Sequence, residues 1–172
     1  VIATLIKTTS PGPVLFVQDR VGADGKAFPF YKFRSMRKDA AQQRLELLGR
    51  PDENMAERYR NDPRVTPLGR FLRRFSLDEL PQLLNVIKGE MSLVGPRPML
   101  FEELEQLDEE HHRRHLAKPG LTGIWQVSGR KETTWEERMR LDLYYVNSWT
   151  LARDIAIIMR TFKVVASGKG SY

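Results

Sequence analysis

The sequence predicts an α+β fold, mostly helical, with amphipathic helices around a small antiparallel β-hairpin. Three observations carry this. Apolar residues recur at helical spacing in three stretches, residues 68–75, 80–87 and 151–165. Two short β-prone runs, 14–18 and 28–34, flank the turn Gly22-Ala23-Asp24-Gly25-Lys26. The chain has 172 residues, 41% of them hydrophobic, which suits one domain with one core, residues 1–172.

The elements follow in order. Val1-Ile2-Ala3-Thr4-Leu5-Ile6 reads as the tail of a longer apolar segment, ended by the rigid turn Ser10-Pro11-Gly12-Pro13. Val14 to Gln18 reads as a short buried strand, with 28–34 as its return partner. Residues 39–48, rich in Ala, Gln, Leu and Glu, suit a helix, and 49–67 a polar loop. Leu68, Phe71, Leu72 and Phe75 mark the first amphipathic helix, with Arg70, Arg73 and Arg74 on its other positions. Ser76 and Glu79 have the S-x-x-E spacing of a capping box. They predict a second helix with Leu80, Leu83, Leu84 and Ile87 on one face, closed by Gly89. Residues 91–98 read as a loop, 100–116 as a charged surface helix, and 124–127 as a short extended stretch. Helices over 134–147 and 151–165 complete the chain. The last has its main apolar stripe at Leu151, Ile155, Ile158, Phe162 and Val165.

Composition narrows the function. The chain has no cysteine, which excludes disulfides and thiolate metal sites. A net charge of +6 favours polyanions: nucleic acid, anionic headgroups or phosphorylated small molecules. No apolar run approaches the roughly 20 residues of a membrane-spanning helix. The faces carrying Phe71, Phe75 and the closing helix have the amphipathic form that either packs on a core or lies on a bilayer surface.

Asp78 and Glu79 are the sharpest chemical feature. Placed at a helix start, just after three arginines, they suit an ionised carboxylate that meets an anionic substrate, as a nucleophile at phosphorus must. Neighbouring helical residues point about 100° apart. They cannot flank a sugar ring as a glycosidase pair does, but they can converge on one phosphate or one divalent cation. Arg34, Arg73, Arg97 and Arg130 add guanidinium forks suited to a diphosphate, and Arg97 is held between two prolines. His111 and His115 stand at i, i+4 but have no third ligand in a metal motif.

Six stretches carry a resemblance. In order they are Ser10-Pro11-Gly12-Pro13-Val14, Lys32-Phe33-Arg34-Ser35-Met36, Leu77-Asp78-Glu79-Leu80-Pro81-Gln82, Gly95-Pro96-Arg97-Pro98, Lys118-Pro119-Gly120-Leu121-Thr122-Gly123, and Gly168-Lys169-Gly170-Ser171-Tyr172. Together they resemble the bacterial sugar transferases, the monotopic polyprenyl-phosphate phosphoglycosyl transferases that prime exopolysaccharide, capsule and O-antigen synthesis. The terminal motif resembles the larger subfamily.

The resemblance implies transfer of a phosphosugar from a UDP-sugar to undecaprenyl phosphate, with release of UMP and use of Mg²⁺. It places the enzyme on the cytoplasmic face of the bacterial inner membrane, against the lipid surface. It implies that Asp78 is the nucleophile and a metal contact, and that Glu79 is its dyad partner. Arg34, Arg73, Arg97, Arg130 and Asp142 become substrate-binding candidates. The family's apolar re-entrant helix lies just upstream of the Ser-Pro-Gly-Pro turn, and only residues 1–6 correspond to it here. The sugar stays open, as does the oligomeric state, with a homodimer among the options. Two other readings remain beside this one. A basic nucleic-acid-binding module accounts for the charge and the aromatic residues but not for the acidic pair or the Pro-Arg-Pro loop. The other is a non-catalytic membrane scaffold.

Overall fold

A computed structural model describes residues 1–40, 62–129 and 133–168. Nearly all of the helix expected over 39–48, most of the 49–67 loop, Arg130 and the final four residues lie outside these. The chain begins with helix α1 (Ile2–Thr9) and the hairpin β1 (Leu15–Val21) and β2 (Ala27–Phe33). Helix α2 (Pro67–Arg74) leads to a 3₁₀ segment, Leu77–Gln82, which runs directly into α3 (Leu83–Ile87). Strand β3 (Ser92–Val94), two further 3₁₀ turns (Phe101–Gln106 and His111–Leu116) and β4 (Gly120–Thr122) follow. Helices α4 (Ile124–Ser128), α5 (Trp135–Asn147) and α6 (Leu151–Ser167) end the described chain.

The hairpin forms as the sequence predicts. β1 and β2 are antiparallel, with Leu15 opposite Phe33 and Val21 opposite Ala27. Opposed residues share a face, so Gln18 and Arg20 project on the same side as Phe28, Phe30 and Lys32. Phe28 and Phe30 bury that side against Met91 and Val86. The prediction of a buried first strand is wrong: Leu15, Phe16 and Val17 are exposed. One layer covers the hairpin, and Phe28 and Phe30 take the buried places.

Helix α2 seats tightly on the segment after β2. Thr66 caps it, accepting from the Gly69 N–H at 2.9 Å, and its own N–H donates to the Ser35 carbonyl at 3.0 Å. A Cβ on Gly69 would sit 2.0 Å from that carbonyl oxygen, so only glycine permits the approach.

A second sheet arises where the sequence predicted a loop and a helix breaker. β3 and β4 pair in parallel, Ser92 with Gly120 and Val94 with Thr122. Gly95 and Gly120 meet backbone to backbone: a Cβ on Gly120 would lie 2.1 Å from the Gly95 nitrogen. The contact seats the Pro96-Arg97-Pro98 turn, whose Pro96 carbonyl accepts from the Gly120 N–H at 2.8 Å. A second core of Val94, Tyr145 and Ile157 lies behind this sheet.

Two other expectations fail. Residues 100–116 form two 3₁₀ turns and not one helix. Leu107 is extended, and the Asp108 carboxylate accepts from the His111 N–H at 2.8 Å, restarting the chain. Residues 124–127 are helical, because Ile124 and Val127 at i, i+3 spacing both pack on the second core.

Two of the three predicted apolar faces point outward. Leu80, Leu83, Leu84 and Ile87 are exposed, Ile87 at 82%. The inward face of that region holds Asp78, Gln82 and Asn85 instead. Asn85 is fully buried, and its amide donates to the Pro29 carbonyl at 2.7 Å and to Glu90 at 2.6 Å. On α6 Leu151, Ile155 and Phe162 of the expected stripe are exposed, as is Met159, whereas Ile158 packs on the second core and Val165 is half-buried. Ile157 and Thr161 face in, the latter 2.8 Å from the Thr122 hydroxyl. No described helix is long and apolar enough to cross a membrane.

Candidate active site

The site starts from a strained residue. Ser76, between α2 and the 3₁₀ segment, has a left-handed backbone with φ of 53°, a conformation costing about 1–2 kcal/mol in a non-glycine residue. The bend turns the next residues back onto the hairpin. The predicted capping box is absent. The Ser76 side chain caps nothing, and the Glu79 N–H donates to the Ser76 carbonyl at 3.2 Å. The Glu79 carboxylate has stronger partners. Its Oε1 accepts from Lys32 Nζ and from an Arg97 terminal nitrogen, each at 2.8 Å. Charge-assisted bonds of this kind are roughly twice as strong as a neutral one. A capping box does form at Thr134 and Glu137.

Asp78 is treated differently by the fold. It is 6% exposed, and no donor among the described residues hydrogen-bonds to its carboxylate. Burial raises its pKa above the ordinary 3.8; Lys32 opposes the rise, Glu79 adds to it, and Arg73 and Arg97 oppose it further. Burial also works against ionisation of Glu79, but the charges and hydrogen bonds of Arg97 and Lys32 outweigh it. They hold that carboxyl well below the usual range. The pair therefore comprises one clamped anion and one unpaired, desolvated carboxyl.

The cations arrive from separate elements. Lys32 comes from β2, Arg73 from the last turn of α2, and Arg97 from the Pro-Arg-Pro turn after β3. Arg73 Nε donates to Ser35 Oγ at 2.9 Å, which orients its guanidinium. Arg97 is held at its backbone as well. Its carbonyl accepts from Arg114 at 2.7 Å, and Arg114 in turn forms a salt bridge with Asp142. Both members of that bridge are almost fully buried. Burial pushes the Asp142 carboxyl up to about 6, with Arg114 as the opposing charge.

Asp78, Glu79, Arg73 and Arg97 thus come together, as their motifs suggest. Asp142 does not join them directly and acts on Arg97 through Arg114. Arg34 is buried elsewhere: its terminal nitrogen donates to the Ile6 carbonyl (3.3 Å), the Ser10 carbonyl (2.7 Å) and Ser10 Oγ (2.8 Å). It ties the end of α1 to the hairpin. Arg130 lies outside the described residues. Sequence reasoning missed Lys32, Ser35 and Arg114. The signal for Lys32 was present, since an isolated cation stands at alternate spacing from Phe28 and Phe30 on one strand face. Arg114 was hidden in a run that reads as a solvated helix.

A family model described as bacterial sugar transferase matches residues 1–168. An undecaprenyl-phosphate galactose phosphotransferase from Salmonella typhimurium is 48% identical over 170 residues, covering 96% of this chain and 36% of its own length. A UDP-glucose:undecaprenyl-phosphate glucose-1-phosphate transferase from Escherichia coli is 45% identical, covering 93% of this chain and 34% of its own length. The chain therefore spans about a third of these two relatives. An exopolysaccharide production protein, ExoY, from Rhizobium meliloti is 42% identical over 99% of this chain and 78% of its own length. On this match the chain belongs to the bacterial sugar transferase family.

Proposed function

We propose that this protein transfers a hexose phosphate from a UDP-sugar to undecaprenyl phosphate through a covalent intermediate on Asp78. The observation that carries the reading is the unpaired, buried Asp78 carboxylate beside a clamped Glu79 and the charges of Lys32, Arg73 and Arg97. Relatives named for phosphate transfer to the same lipid support the choice of acceptor.

An Asp78 oxygen attacks the sugar-side phosphorus of the donor. A bond from that phosphorus to the bridging oxygen breaks, and its electron pair leaves with UMP. The product is an aspartyl phosphosugar, a mixed anhydride that keeps the phosphorus activated. A phosphate oxygen of the lipid then attacks the same phosphorus, and the Asp78 carboxylate leaves unchanged. Lys32 and Arg97 keep Glu79 ionised and in place while they face the incoming diphosphate. Their fixed geometry stabilises charge without reorganisation during the reaction.

No group of three potential metal-ligating side chains occurs among the described residues. Magnesium usually takes one or two carboxylates plus substrate phosphates. Asp78, with the Glu79 oxygen that Lys32 and Arg97 leave open, would fit such an ion. When bound, it would neutralise phosphate charge. The outward leucines of the 3₁₀–α3 segment and the outer stripe of α6 fit an interfacial seat on the cytoplasmic leaflet, where the lipid acceptor resides.

The test is intact-protein mass after incubation with UDP-hexoses and Mg²⁺. A gain of one phosphohexose, located on Asp78 and absent in Asp78→Asn, is the expected result. Full UMP release by Asp78→Asn would refute the nucleophile.

A further inference from the structure

We propose that Arg20 is a further phosphate-binding residue, acting beside Arg97 on the anion that enters the dyad site. The inference rests on reading that site as one for a diphosphate. Arg20 stands on the dyad-facing side of β1, and its guanidinium carbon lies 5.4 Å from the centre of the Phe30 ring. Lys32 Nζ lies at the same distance from that ring. Phe30 is thus a shared apolar floor for two cations, one of which already touches Glu79.

The other cations here have polar partners. Lys32 and Arg97 hold Glu79, Arg73 holds Ser35, and Arg114 holds Asp142. Arg20 has one neutral partner, the Gln18 amide oxygen at 3.2 Å. Its Nε is buried without a hydrogen-bond partner, and no carboxylate among the described residues forms an ion pair with it. Burial and, after it, the positive charge of Arg97 lower its pKa to about 10, against the opposing pull of Glu103, Glu79 and Glu102.

A half-buried guanidinium placed near another, without a carboxylate of its own, costs stability in the free protein. A bound anion would remove that cost. Arg20, Lys32, Arg73 and Arg97 face Asp78 and Glu79, with Glu102 and Glu103 as further acidic neighbours of Arg20 and Asp62 of Arg73. Among these four cations Arg20 is the one with neither an ion-pair nor a hydroxyl partner among the described residues, and a diphosphate diester, with one negative charge on each phosphate, supplies such a partner. Phosphates from two sources can enter such a site: the two of the nucleotide-sugar and the one of the lipid acceptor. Their chemistry is shared, and kinetics separates them, because kcat/KM for donor and acceptor are independent in a two-step exchange.

The experiment compares the wild type with Arg20→Gln and Arg20→Lys. UDP and uridine binding are measured by calorimetry, with thermal melting and kcat/KM for each substrate. Arg20→Gln is expected to weaken UDP binding about 10-fold or more, to leave uridine binding unchanged, and to leave Tm unchanged or raised. Arg20→Lys should fall between. A loss in kcat/KM confined to the UDP-sugar assigns the donor phosphates; a loss confined to undecaprenyl phosphate assigns the acceptor. UDP affinity and both kcat/KM values within twofold of wild type would overturn the proposal. So would a lowered Tm with anion binding intact, which would mean that Arg20 only packs on Phe30. UDP binding needs no chemistry, so an Asp78→Asn variant that still turned over would sink the nucleophile without touching this result.

Discussion

Asp78 and Glu79 are chain neighbours with opposite proton affinities. Burial lifts Asp78 above its ordinary pKa, while Arg97 and Lys32 hold Glu79 below its own. A one-residue step along a 3₁₀ turn separates a carboxylate in a cationic clamp from one without a hydrogen-bonded partner. Environments that drive two titrating groups apart are the usual sign of divided roles.

This division sets a pH dependence. Asp78 must be ionised to attack, so the acidic limb of kcat/KM for the donor should lie above 3.8. Lys32 lowers the Asp78 pKa and Glu79 raises it. Lys32→Met should therefore move the limb upward and Glu79→Gln should move it downward. Equal shifts of the same sign would contradict the geometry. In stability the sign for Glu79 is fixed too. Its folded pKa is below the ordinary 4.5, so its contribution is complete above that pH and fades as the pH falls below it. Urea unfolding across that range, with Glu79→Gln as the control, measures the effect.

Asp142→Asn should cost about 3–5 kcal/mol, because it leaves Arg114 buried and uncompensated. The corresponding fall in Tm is roughly 6–20 °C at about 2–4 °C per kcal/mol. An apolar pair, Asp142→Leu with Arg114→Met, should recover most of that stability. It should not recover activity, because Arg114 also holds the Arg97 carbonyl. Activity that returned along with Tm would show that Arg97 needs no such support.

Arg34 should behave as a tie for α1 and not as a substrate contact. Arg34→Met removes its bonds to the Ile6 and Ser10 carbonyls. Amide exchange at residues 2–10 should speed up, with UDP affinity held within about twofold. A large loss of UDP affinity with unchanged exchange would return Arg34 to the substrate-binding set.

The outward leucines can be tested without disturbing the core. Leu84→Gln and Ile87→Gln replace exposed side chains. Tm should change by less than about 2 °C, since surface changes stay within roughly 0.5 kcal/mol. Flotation with phosphatidylglycerol vesicles should fall several-fold. Unchanged flotation would remove this face from the lipid contact.

Local chemistry determined much of this protein from sequence alone. Turn residues between two β-prone runs gave the hairpin, and the stretch 134–147 read as the helix that forms there. The Asp-Glu pair, the arginine before it and the Pro-Arg-Pro turn named residues that the fold brings together at the candidate site, because each signal sits within a few positions of itself. Only the tertiary structure decided which way the apolar faces point. Helical periodicity marks a stripe but not what covers it, and Asn85 faces inward because the β2 edge needs its amide. Residues far apart in sequence likewise found their roles only through folding. Lys32 reached Glu79, Arg34 reached Ser10, and Asp142 reached Arg97 by way of Arg114. The seat of α2 on Ser35 depends on Gly69, and that of the Arg97 turn on Gly95 and Gly120, because these glycines let backbones meet at distances no side chain would allow.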